Sequence, residues 1–106
     1  MSIDSSMDKV LERQQEVETQ LSRSAELSSK ELADFSRELS ELRPVCEQIE
    51  LVRALESELK DAVTMVAEAA DDDELQVMAE NEVTLLKDRI LGEKERLQLL
   101  LLPKDK

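Results

Sequence analysis

The stretch that decides the fold is Phe35–Val66, "FSRELSELRPVCEQIELVRALESELKDAVTMV". Its apolar residues are Phe35, Leu39, Leu42, Cys46, Ile49, Val52, Leu55, Leu59, Val63 and Val66, recurring at steps of three and four. That spacing lays them along one face of an α-helix. With Leu32 before it and Ala70 after it, the stripe predicts about forty residues of helix, roughly 60 Å long. Pro44 lies inside. A proline removes a backbone donor and clashes with the preceding turn, costing ~3 kcal/mol or more. The seam stays in phase from Leu42 to Cys46, which predicts a kinked helix rather than a loop. Two steps of three, Ile49 to Leu55, then shift the phase as a bent helix requires.

Working upstream, "SSKE", Ser28–Glu31, reads as a capping box in which the serine hydroxyl and the glutamate satisfy each other's backbone amides. Before it, "SRSAELSS" (22–29) is polar and aperiodic, a turn. Before that runs another stripe, Ile3, Met7, Val10, Val17 and Leu21, with Gln14 in its gap and Ser2 or Asp4 as its cap. Downstream, "DDDE", Asp71–Glu74, is a second turn, with Asp71 or Asp72 capping a third helix. That helix carries Leu75, Met78, Ala79, Val83, Leu86, Ile90, Leu97 and Leu100 or Leu101. Gly92 sits mid-helix, marking either a close neighbour or a tolerated surface position. Pro103 ends the helix. The expected fold is all-α: three long helices in an antiparallel up-down-up bundle, helix two kinked near Pro44. The first helix covers about half of the second, and a partly covered long helix invites a partner.

Composition agrees. Of 106 residues, 38% are charged and 41% hydrophobic, with one Phe, no Tyr or Trp, one Gly and two Pro. Helix formers dominate; the β-branched and aromatic residues of strands and the glycines of turns are scarce. The length fits one domain. A net charge of −12 repels phosphate, which argues against direct nucleic-acid binding and against anionic membrane surfaces. No apolar run approaches the ~18 residues needed to span a bilayer, and "MSIDSSMDK" has neither the basic start nor the apolar centre of a secretory signal. A single cysteine builds no disulfide framework and fits a reducing cytosol. A cytoplasmic location is expected.

Chemistry is sparse. There is no His, so the usual general base near neutral pH is missing. Cys46 lies on the apolar seam with nothing to activate it. One glycine cannot build a phosphate loop. "DDDE" lacks the alternation and glycine of a calcium loop and reads as capping acids. No catalytic, cofactor-binding or metal-ligating residue is therefore assigned, no cofactor is expected, and the chain is not read as an enzyme. One charge feature stands out: from Asp61 to Leu86 there is no Lys or Arg but eight acids, namely Asp61, Glu68, Asp71, Asp72, Asp73, Glu74, Glu80 and Glu82. The plain explanation is a solvated hairpin tip. The sharper one is an acidic face that steers a basic protein partner.

Three stretches together resemble the helical N-terminal domain of bacterial-type class I peptide chain release factors, of the type that reads UAA and UAG. "LSELRPVCEQI", Leu39–Ile49, is similar to that family's "YAELSPIV" motif, with Pro44 at the matching position. "DDDELQVMAENE", Asp71–Glu82, is similar to "DPELRELAEEE", with an aspartate in place of the proline. "LLLPKD", Leu100–Asp105, matches the end of the family's Leu- and Glu-rich helix. The resemblance runs in order along essentially the whole chain. It implies that residues 1–102 form the helical domain and that 103–106 begin a linker to a codon-reading domain. Leu97, Leu100 and Leu101 would finish the third seam, with Leu99 and Leu102 turned toward that domain.

The resemblance also implies a role. A complete factor binds the ribosome at a stop codon and triggers hydrolysis of peptidyl-tRNA. It reads the codon with a P-x-T tripeptide and hydrolyses with a Gly-Gly-Gln motif, both in later domains. Neither is in this chain, so no such residue carries over. The helical domain of the family reaches the stalk base of the large ribosomal subunit and is associated with the recycling GTPase release factor. The alternative is an unrelated coiled-coil or helical-bundle scaffold that self-associates, supported by the heptad-like seams of helices one and two. Weak self-association is compatible with either.

Overall fold

The computed structural model describes residues 3–103. Three α-helices follow one another: α1 (Ile3–Ser22), α2 (Ser29–Glu68) and α3 (Asp73–Leu100), with one 3-10 turn, Ser24–Glu26, between the first two. Among the described residues the fold is all-α, with α1 and the first part of α2 forming one hairpin and the rest of α2 with α3 forming another. It divides into two compact units. One holds α1 and α2 up to Ile49, with the chain end from Leu100; the other is Glu50–Leu99.

In the first unit the predicted stripe of α1 holds. Met7 and Val17 are fully buried, and Ile3, Val10, Gln14 and Leu21 are half-buried. Asp4 is not the cap; it lies inside the first turn of α1, where its charge faces the positive helix end. Ser2, the other cap considered, lies outside the described residues. The expected capping box of α2 forms: the Glu31 amide donates to Ser28 Oγ and the Ser28 amide to Glu31 Oε1, both at 3.1 Å. Arg13 of α1 then grips Glu38 of α2 with two guanidinium nitrogens. Its Nη2 donates to Oε1 at 2.7 Å and its Nε to Oε2, while Nη1 reaches Glu16 at 3.1 Å. This fork ties α1 to α2 across the hairpin that the short connection 23–28 creates.

The long helix runs unbroken through Pro44. Pro44 itself is exposed, while Cys46 and Ile49, just beyond it, are buried. Fully burying one such side chain is worth about 1.5–3 kcal/mol, so a few of them offset the ~3 kcal/mol cost of the proline. Leu32, placed on the stripe by spacing, is not in the core but partly exposed at the helix start, at 39%.

In the second unit the seam of α2 departs from expectation. Val63 and Ala70 are exposed, and Ala62 and Ala69 are buried in their place. After Leu59 the buried face steps by three to Ala62, then to Val66 and Ala69. Small side chains let the opposing helix come close, so the face follows alanines over larger neighbours. Leu55 and Ala62 pack with Leu86 and Ile90, flanked by Leu51, Leu59 and Val83.

The seam of α3 is also shifted at its start. Leu75 and Met78 are exposed, whereas Gln76 is half-buried and Ala79 buried. The buried face reads Gln76, Ala79, Val83, Leu86, Ile90, Glu93, Leu97, alternating steps of three and four without a gap. Two polar residues hid this regularity. Gln76 Nε2 donates to the Val66 carbonyl at 3.4 Å, one of the last-turn acceptors of α2 that the helix leaves unsatisfied. Glu93, buried, has its carboxylate 3.3 Å from Arg96, the pairing a buried charge requires. Lys94 and Glu56 add an ion pair across this hairpin at 3.2 Å.

Asp72 is the cap of α3: its Oδ1 accepts from the Leu75 amide at 3.1 Å, and its carbonyl from the Gln76 amide at 2.9 Å. No atom would meet a Cβ built on Gly92 within 4 Å, so the glycine accommodates no neighbour. At the end of α3, Leu101 is half-buried, and Leu99, Leu100 and Leu102 are exposed. Lys104, Asp105 and Lys106, the rest of the expected linker, lie outside the described residues.

Candidate interaction surface

Among the described residues, no group of three or more His, Cys, Asp or Glu is placed to hold a metal ion, and no helix is long and apolar enough to cross a membrane. Cys46 is buried in the apolar seam of α2 and takes part in no disulfide. A broad depression of about 620 Å³, lined by Glu12, Arg13, Gln15, Glu16, Thr19, Gln20 and Phe35, belongs to the first unit. Its chemistry is that of the Arg13 fork. Hydrogen bonds from Arg13, the main cause, lower the pKa of Glu38, while partial burial opposes the shift. Arg13 in turn is held protonated by Glu38 and Glu16. This is a structural clamp between two helices.

The second unit carries a different kind of surface. All eight acids of the cation-free stretch are exposed. Their roles differ. Asp72 serves as the helix cap, Asp73 and Glu74 sit in the first turn of α3, and the rest are open to solvent. Between α2 and α3, within this unit, runs a groove of about 360 Å³. Its floor is Ala62, Met65, Leu75, Met78, Ala79 and Leu86; its rim is Glu58, Asp61 and Glu82. Met65 is 48% exposed and Met78 67%. None of the three rim acids is ion-paired among the described residues. On the opposite side of the hairpin, Val63, Val66, Ala67, Glu80, Val83 and Thr84 line a second apolar hollow of about 520 Å³.

The groove exists because the buried face follows Ala62 and Ala79. With alanines at the contact, the larger Met65, Leu75 and Met78 are left flanking it. The acids were visible in the sequence, but spacing placed Met78 and Leu75 in the core and passed over Met65. The signal that could have found them was the heptad register of α3 with Gln76 counted as a seam residue.

Known proteins agree with the resemblance carried by Leu39–Ile49, Asp71–Glu82 and Leu100–Asp105. Residues 10–106 match the PCRF domain family. The chain is 34% identical over 106 residues to peptide chain release factor 1 of Magnetococcus marinus, an overlap of 99% of this chain and 29% of that protein. It is 36% identical over 99 residues to the protein of the same name from Ruegeria pomeroyi, covering 93% of this chain and 26% of the relative. To that of Roseobacter denitrificans it is 41% identical over 76 residues, covering 72% and 20%. The chain thus spans less than a third of the length of these relatives. No solved structure matches it. With a family match that takes in both hairpins, the acidic turn and the closing leucine run, this chain belongs to the PCRF domain family of peptide chain release factors.

Proposed function

We propose that this chain is the N-terminal helical domain of a class I peptide chain release factor and that it serves translation termination as a non-catalytic docking module. The observation that carries this is the family match over residues 10–106, together with relatives that share one name. Within the complete factor, other domains recognise the stop codon and promote peptidyl-tRNA hydrolysis, and residues 103–106 lead toward the codon-reading one. The chain's own residues supply no nucleophile or general base for that reaction. Its partners are proteins of the terminating cytoplasmic ribosome, at the stalk base of the large subunit, and the recycling GTPase release factor. The acidic face of residues 61–86 suits basic protein neighbours and disfavours direct contact with RNA.

A hybrid factor tests this. The matching segment of the Magnetococcus marinus release factor is replaced by this chain, and peptide release and factor recycling are followed on ribosomes stalled at UAA, UAG or a sense codon. Release at UAA and UAG, with GTPase-stimulated recycling close to that of the parent, is expected. A folded hybrid that recycles no better than one carrying an unrelated helical hairpin would overturn the proposal.

A further inference from the structure

We infer that the groove between α2 and α3, floored by Met65 and Met78 and rimmed by Glu58, Asp61 and Glu82, is a docking site for a basic amphipathic helix of a protein partner. This stands on the groove itself and not on the family reading.

Three observations fix the chemistry of the occupant. The floor is apolar and lies between two helices, the shape into which an amphipathic helix lays one face. Of its two methionines, Met65 is about half exposed and Met78 about two-thirds. Methionine has an unbranched, polarisable side chain that adapts to varied apolar partners, and exposing two of them side by side costs burial that a bound partner would restore. The rim carries three carboxylates and no cation, and the chain between Asp61 and Leu86 contains no Lys or Arg to neutralise them. A second copy of this chain is a poor occupant, since it brings the same acids. A nucleic acid is a worse one. A helix with leucine-like residues on one side and lysines or arginines flanking them satisfies both floor and rim: the apolar face fills the groove and the cations meet the rim.

The probe is a fluorescent peptide of about 18 residues with leucines at i, i+4 and i+7 spacing and lysines elsewhere, titrated into the intact chain. A scrambled peptide of the same composition is the control. Methyl NMR of the methionines reports position: Met65 and Met78 should shift, and Met7, buried in the other unit, should not. Met78→Lys, at an exposed position that leaves the fold intact by circular dichroism, should weaken binding about tenfold or more. Glu58→Gln with Asp61→Asn and Glu82→Gln should weaken it more than Glu18→Gln with Glu41→Gln and Glu47→Gln, which remove the same charge elsewhere. The proposal is overturned if the scrambled peptide binds equally, if the two charge variants lose affinity equally, or if Met78→Lys has no effect. It is also overturned if sedimentation shows the chain pairing with itself through Met78.

Discussion

Arg13 and Glu38, twenty-five residues apart, meet in a two-pronged ion pair that ties α1 to α2. Two parallel N–H···O bonds to one carboxylate fix orientation as well as distance. They set the register of the first hairpin one helical turn from the buried Val17.

The fork lowers the pKa of Glu38 below its ordinary value. The folded state therefore releases the Glu38 proton more readily than the unfolded chain. The stabilisation is present above the unfolded value and is lost as pH falls through the lower folded value. Arg13→Gln should return the Glu38 carboxyl to the ordinary range, read by carbon-detected NMR titration. An unchanged midpoint would show that the pair does not hold Glu38 in solution.

The two capped helix starts should be separable. Ser28→Ala and Asp72→Ala each remove the acceptor of a first-turn amide and should cost about 1 kcal/mol in urea unfolding. Asp72→Asn should cost much less, because asparagine caps as well as aspartate. Equal losses for Asn and Ala would show that the charge, not the hydrogen bond, matters at Asp72.

Ala62 and Val63 test the register of the second hairpin. Ala62 is 7% exposed against the α3 core and Val63 50%. Ala62→Leu should destabilise by about 1–3 kcal/mol through overpacking. Val63→Lys should stay within about 0.5 kcal/mol. The reverse order would restore the seam that spacing alone suggests.

Much of the fold was legible before the structure. The step pattern of α1 and the central part of α2, the Ser28–Glu31 box and the acidic turn were local signals, each contained within a few residues. What was not legible depends on which residues two helices bring opposite each other. Ala62 looks less apolar than Val63, yet close packing selects it. Gln76 and Glu93 occupy seam positions while looking like surface residues; their partners, the Val66 carbonyl and Arg96, are what make them tolerable there. The Arg13–Glu38 fork spans two helices and leaves no local trace. The methionine groove went unseen for the same reason, since it forms only once Ala79 rather than Met78 faces α2.

Two residues at odds with a helix interior offer a further check. Gly92 has open space around it, so Gly92→Ala should raise stability by about 0.5–1 kcal/mol. Pro44 is exposed within an unbroken helix. Pro44→Ala should preserve the helicity of α2 and raise stability by up to about 3 kcal/mol. A large loss of circular-dichroism signal would show that the proline is needed for the packing around Cys46.

The proposed docking on the terminating ribosome, through protein contacts at the acidic hairpin tip, is open to one direct measurement. A photo-crosslinker is placed at Asp73 of the hybrid factor, and the products are analysed on ribosomes stalled at UAA. Crosslinks to basic proteins of the large-subunit stalk base are expected, strong at UAA and weak at a sense codon. Crosslinks that go chiefly to ribosomal RNA, or that are equally strong at a sense codon, would contradict docking of this kind.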